Sequence, residues 1–215
     1  VTRRPRWPLA LLLVLLAALA AFGLLARGRA APTEGSAEVT FVRGMIQHHA
    51  QAVDMATRIR DRSKNRTLRS LALDIILSQQ EQIGQMRGWL TLWNRPWAGA
   101  GMDAEHARLM GMATPAEVTS LDTMPVNTAE VTFLQLMRRH HQGALAMVRP
   151  VLDHPARPEV QALARQINAT QSAEIRLMDQ LLAQRGAAPL PDPGGMPGMP
   201  GMDMGGAGTK STTPP

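Results

Sequence analysis

The sequence predicts an all-α protein: a four-helix bundle made of two duplicated helix hairpins, with an N-terminal transmembrane or signal helix and a tail without regular structure. Three observations carry this reading. First, EVTFVRGMIQHHAQAVDM from Glu38 and EVTFLQLMRRHHQGALAM from Glu130 match at nine of 18 positions, at an offset of 92. Second, the same offset, without a gap, aligns LALDIILSQQEQIGQM (71–86) with LARQINATQSAEIRLM (163–178). A constant offset over two segments marks two copies of one structural unit. Third, apolar residues recur at helical spacing in each copy, as at Phe41, Met45, Ala52, Ala56 and Ile59, and at Leu71, Ile75, Ile83, Met86 and Leu90.

The elements follow in order. Helix 1 is expected over about 37–62 and helix 2 over about 66–93, stopped by Pro96. Asn127 with Glu130 resembles a capping box opening helix 3, which Pro150 should kink or end. Helix 4 is expected from Pro158 to about 185, with Gly186 as its stop. Thr114-Pro115-Ala116-Glu117 should start a short helix in the connector, about 96–127. The organisation is therefore a leader over 1–30, the duplicated unit over 31–185, and a tail over 186–215. The tail holds eight Gly and seven Pro, too many breakers to pack a core.

Residues 9–26 carry no charge and would span about 27 Å as a helix, close to a bilayer core. Arg3, Arg4 and Arg6 precede them, which should keep the N-terminus cytoplasmic and the rest outside. A signal peptide cut near Ala20 or Ala30 is one reading. An uncleaved anchor is preferred, because the run exceeds a usual signal core and Arg27 and Arg29 sit where cleavage sites are uncharged. The expected location is extracytoplasmic, anchored to the cell membrane, or secreted if the leader is cut. The net charge of +6 is no argument for nucleic acid: removing the five leader arginines leaves 18 basic against 17 acidic residues. With no Cys, thiolate metal sites, Fe–S clusters and thiol nucleophiles are excluded.

The chemistry-bearing residues lie in the duplicated motif. At about 100° per residue, His49 falls within about 40° of Met45 on the apolar stripe, and His48 about 60° to the other side, at the stripe edge. Met137, His140, His141 and Met147 repeat the pattern of Met45, His48, His49 and Met55. Met45, His49, Met137 and His141 should be largely buried, His48 and His140 less so, with helices 1 and 3 meeting through these faces. Imidazole with thioether suits copper better than magnesium or calcium. The bland reading is that core histidines are merely hydrogen-bonded and methionines fill gaps. Helix 2 carries Gln79, Gln82 and Met86 on one stripe, and helix 4 carries Gln171, Glu174 and Met178; these polar groups could orient the histidines. A di-iron site needs two Glu-x-x-His motifs, which the copies lack. Serine-hydrolase and phosphate-loop motifs are also missing.

Met196, Met199, Met202 and Met204 stand in the Gly/Pro tract, where core packing cannot explain them; flexible thioethers suit capture of Cu(I) or Ag(I). A plain spacer is the alternative. Met102, His106 and Met110, with Met112 near, form a third cluster on one predicted helical face.

At Phe41, Met45, His48, His49, Ala52 and Met55, and again at Phe133, Met137, His140, His141, Ala144 and Met147, the chain resembles the bacterial family called domain of unknown function 305. The partner-helix pattern Q-x-x-E-I-x-x-M matches fully at Gln171, Glu174, Ile175 and Met178; in the first copy Gln82 replaces the acid. The resemblance implies a ferritin-like bundle, exported, with copper binding or copper resistance in some members. The expected function is an extracytoplasmic protein that buffers or hands over copper, Cu(I) or Cu(II), through Met and His, without turnover. The expected partners are the copper ion, the membrane through residues 9–26, and a second copy of the chain or a copper-exchanging protein. A non-catalytic envelope scaffold comes second and a redox metalloenzyme third. The histidine site should weaken as pH falls through about 6.5, and the tail should not.

Overall fold

The computed structural model describes residues 11, 13–20, 30–99 and 102–193. Within them lie α1 (Ala37–Arg62), α2 (Arg66–Leu92), α3 (Ala104–Leu109), α4 (Pro115–Thr123), α5 (Val126–Asp153) and α6 (Pro158–Gln184). No strand occurs among the described residues. Residues 13–20 are also helical, with exposed leucines, and half of the predicted 9–26 span lies outside the described residues. Among the described residues no helix is long and apolar enough to cross a membrane.

Local chemistry sets the helix ends. Ser36 caps α1 by accepting from the Val39 N–H, and Asn65 caps α2 by accepting from Leu68. Thr114 and Glu117 form a reciprocal capping box on α4. Pro158 opens α6, and Gly186 leaves it at φ +63°, a conformation cheap only for glycine. Pro150 does not end α5, which runs on to Asp153.

The expected capping box of Asn127 and Glu130 is not made. Helix α5 starts two residues earlier, with Pro125 at the cap position and no side-chain cap. Glu130 is instead buried. It accepts from Ser63 Oγ at 2.6 Å and pairs with Arg185 at 2.9 Å. Its counterpart in the first copy, Glu38, accepts from the backbone N–H of Arg157 at 2.7 Å. Each acid thus ties the start of one hairpin to the turn of the other. Glu130→Gln keeps the shape and removes the charge opposite Arg185. It should cost about 1.5 kcal/mol, read as a lower urea midpoint; an unchanged midpoint would refute this tie.

α1 packs along α2, α5 packs along α6, and the hairpins meet where α1 crosses α5. The N-terminal half of α1 (Val39, Val42, Met45) shares an apolar cluster with the C-terminal half of α5 (Ala144, Val148, Val151). The C-terminal half of α1 (Met55, Ala56, Ile59) shares the other cluster with Phe133, Leu134 and Met137. The two helices are therefore antiparallel, and their crossing point falls at His48 and His140. Helices α2 and α6 contribute to both clusters.

The segment linking the hairpins lies over this crossing on one side. Gln51 clasps Ala113, donating to its carbonyl and accepting from its N–H, both at 2.8 Å. The aligned position in the second copy is Gly143. A Cβ there would stand 1.7 Å from the Met110 carbonyl oxygen. The missing side chain lets Met110 and Gly111 rest directly on α5. Gly111 itself has φ +71°, and a Cβ on it would meet the Arg139 carbonyl at 2.3 Å.

Candidate metal centre

Between the two apolar clusters runs a buried polar layer. His48, His49, His140 and His141 are all 0% exposed, and Gln79, Gln82 and Gln171 are buried beside them. This corrects the expectation that His48 and His140 stand less buried. The helical wheel placed them at the stripe edge, but α1 and α5 cross there and the connector roofs the crossing. The two rings lie against each other, centroids 3.6 Å apart and planes tilted by 31°. Helices 1 and 3 of the sequence reading do meet through their Met/His faces.

Every imidazole spends its Nε2 on an oxygen. His49 reaches Gln82 Oε1 at 2.7 Å, and at the duplicated position His141 reaches Glu174 Oε2 at 2.8 Å. His48 reaches the Met110 carbonyl and His140 the His48 carbonyl, both at 3.0 Å. The last two are not symmetric, because only one connector exists to roof the layer. An oxygen acceptor fixes the tautomer: each neutral ring carries its proton on Nε2 and presents a lone pair at Nδ1. All four Nδ1 atoms are buried without a partner among the described residues, as are both amide atoms of Gln79 and Gln171. Buried polar atoms without partners are uncommon and call for an explanation.

Burial pushes the His48 pKa down to about 4, against the hydrogen bond to Met110. Burial, with His48 beside it, pushes His49 down to about 3. His140 is held well below its ordinary value, first by burial and then by His48. These rings therefore stay neutral through mildly acidic pH. In the folded protein the His48 ring is still neutral at pH 5, so a site built on it does not lose its lone pair near the 6.5 of a solvated imidazole.

Met45 and Met137 are wholly buried one helical turn before their histidine pairs, and Met55 and Met178 are buried too. Met147 is half-buried, and its Cε would lie 3.3 Å from a Cβ on Gly44. Glu174, partly buried, acts on the His141 ring as Gln82 does on His49. Among the described residues no three His, Asp or Glu side chains converge as a ready cation cage. The donors present are imidazole lone pairs and thioethers, a set that fits a soft monovalent ion of low coordination number and not a hard cation.

The third cluster does not form one face. Helix α3 covers only Ala104–Leu109; Met102 precedes its cap, His106 is exposed, and Met110 turns into the roof over His48. Asp54, five residues after His49, is exposed and paired with Arg58. Met196, Met199, Met202 and Met204 lie outside the described residues.

Duplicated all-helical hairpins with a paired-histidine layer define the class. The chain belongs to the family described as Domain of unknown function (DUF305), whose pattern matches residues 38–182. It is similar to a DUF305 fragment from Deinococcus radiodurans: 55% identity, TM-score 0.66, covering 71% of this chain and 99% of that one. It is also similar to CopM, solved in Cu(II)-bound form (29% identity, TM-score 0.60, 71% and 99% covered) and in Cu(I)-bound form (28% identity, TM-score 0.57, 71% and 99% covered). A stretch of 50 residues, 23% of the chain, is 42% identical to an uncharacterised protein, L153, of Acanthamoeba polyphaga mimivirus and spans a third of that protein's length.

Proposed function

We propose that this protein binds copper outside the cytoplasm and buffers it or hands it over, without turnover. The observation that carries this is the set of four buried Nδ1 lone pairs, duplicated with the chain and left without partners. Ions of Cu(I) type would each draw a few ligands from the imidazole nitrogens of His48, His49, His140 and His141 and the thioethers of Met45, Met55, Met137, Met147 and Met178. Glu174 and Gln82 would position the rings from behind. The apolar clusters on both sides would exclude water and so favour soft donors. The likeness to CopM, which has been solved with Cu(I) and Cu(II), supports the same reading. Two antiparallel hairpins enclosing the layer support the finer description as a ferritin-like four-helix bundle. The charge-free 9–26 run after three arginines supports membrane anchoring with the bundle outside.

The scaffold reading has one observation in its favour, the satisfied Nε2 of all four layer histidines. A Cu(I) titration against a competing chelator separates the two readings. It compares the full chain, a truncation after Pro193, and a His49→Gln/His141→Gln variant whose folding is checked by circular dichroism. The truncation should remove a pH-insensitive component. The histidine variant should remove a component that persists at pH 5. If neither change alters the copper stoichiometry, the copper reading fails.

A further inference from the structure

The duplication makes the two halves of the histidine layer comparable within one molecule. One apolar cluster holds Met45 and Met86, with Met147 packed against it; the other holds Met137, Met178 and Met55. The offset of 92 relates the two sets, Met45 to Met137, Met86 to Met178 and Met55 to Met147. His48 and His140 are in contact, and the rings of His49 and His141 have centroids 6.5 and 6.2 Å from theirs. Thioethers and imidazoles are therefore matched on the two sides. The group behind the outer imidazole is not. His49 Nε2 rests on the uncharged amide oxygen of Gln82 at 2.7 Å, and His141 Nε2 on the carboxylate of Glu174 at 2.8 Å. The other two rings lean on the backbone carbonyls of Met110 and His48, so Glu174 is the one charged acceptor of the four. Its side chain is 11% exposed, and no guanidinium or ammonium group pairs with it among the described residues.

We infer that the two halves are made unequal by this one charge: a soft cation fills the His141 half first and is retained there, while the His49 half binds more weakly and is the one that gives its ion up. This rests on the copper reading above, and it adds Met86 to the thioethers available to the weaker half. Two effects act in the same direction. A carboxylate accepting the far N–H of an imidazole raises the donor strength of the other nitrogen. A cation held between two apolar clusters also needs a counter-charge, and a buried charge without one is costly. Glu174 supplies it beside His141, and Gln82 has none to offer His49. Glu174 acts through the ring, as a positioning residue. Loss of such a partner alters metal affinity by about 10–100-fold, so the halves should differ by about tenfold or more for Cu(I).

The filling order is read from nitrogen-15 spectra of the histidine-labelled full chain as limiting Cu(I) is added without oxygen, with the two rings assigned through His49→Gln and His141→Gln. In the parent, the His141 Nδ1 resonance should move first, and that of His49 only once the first half is full. Gln82→Glu places behind His49 the carboxylate that the duplicated position already carries. It should raise the affinity of the His49 half by about tenfold or more against a competing chelator, so that both resonances move together. A merely structural role for this position would give no such gain. Glu174→Gln should weaken the His141 half by a similar factor and again bring the two together. Simultaneous movement of both rings in the parent overturns the inequality, and so does a filling order that neither Gln82→Glu nor Glu174→Gln changes. If no Nδ1 resonance of the layer moves at any Cu(I) concentration, the copper reading is what has failed, and the inequality falls with it.

Discussion

Acidifying the metal-free protein from pH 7 to pH 5 is expected to remove most of its stability. His48, His49 and His140 are wholly buried, and their pKa values lie at about 4, about 3 and well below the ordinary value. In the unfolded chain each titrates near 6.5. The folded pKa is depressed below the unfolded one, so below pH 6.5 the unfolded state takes up protons that the folded state refuses. Stability is therefore complete above 6.5 and falls as pH drops towards the folded values. Each ring costs about 1.4 kcal/mol per pH unit in that window, so His48 and His49 alone remove about 4 kcal/mol at pH 5. A domain commonly has only about 5–15 kcal/mol in hand. The exposed acids with lowered pKa, Glu34 and Glu105, lose their pairing only below pH 4.5, outside this window. Urea midpoints followed at 222 nm from pH 7 to pH 5 would show a steep fall. A flat profile would mean that the layer is hydrated and that the rings titrate normally.

The second large effect is expected at Gly143. Gly143→Ala puts a methyl group 1.7 Å from the Met110 carbonyl oxygen, a backbone atom that no rotamer change can move aside. The connector must lift from α5, and His48 loses the acceptor of its Nε2–H. The cost should be about 3 kcal/mol. The predicted signature is selective: amide exchange accelerates at residues 110–113, while the core of α2 keeps its protection. Exchange accelerated equally everywhere would show that Gly143 matters only to global stability.

Much of this was legible in the sequence because it is local. The bounds of α1 follow from its apolar spacing, and the inward direction of His49 and His141 from the same periodicity. The duplication showed which residues recur, Glu38 and Glu130 among them. It did not show what they touch: Glu130 meets Ser63 and Arg185, 67 and 55 residues away, and no local pattern encodes that. The depth of His48 and His140 escaped for the same reason, since it depends on a crossing helix and on a connector that has no periodicity. One signal was available in the alignment of the copies. Gln51 faces Gly143 across the duplication, a long polar side chain against none, and both positions turn out to seat the connector. The docking of residues 187–193 was hidden by composition: Gly and Pro mark the segment as breaker, while Ala187, Leu190 and Asp192 hold it against the bundle.

The central claim is that the Nδ1 lone pairs of the buried histidines take the metal while the Nε2–H groups stay on their oxygens. Nitrogen-15 spectra of histidine-labelled protein, recorded as Cu(I) is added without oxygen, test it directly, because Cu(I) is diamagnetic and leaves the rings visible. The predicted result is a large shift of Nδ1 resonances within the His48, His49, His140 and His141 layer, with the Nε2-bound protons retained. The contradicting result is a protein that saturates with Cu(I) through methionine methyl signals alone while all four Nδ1 resonances stay in place.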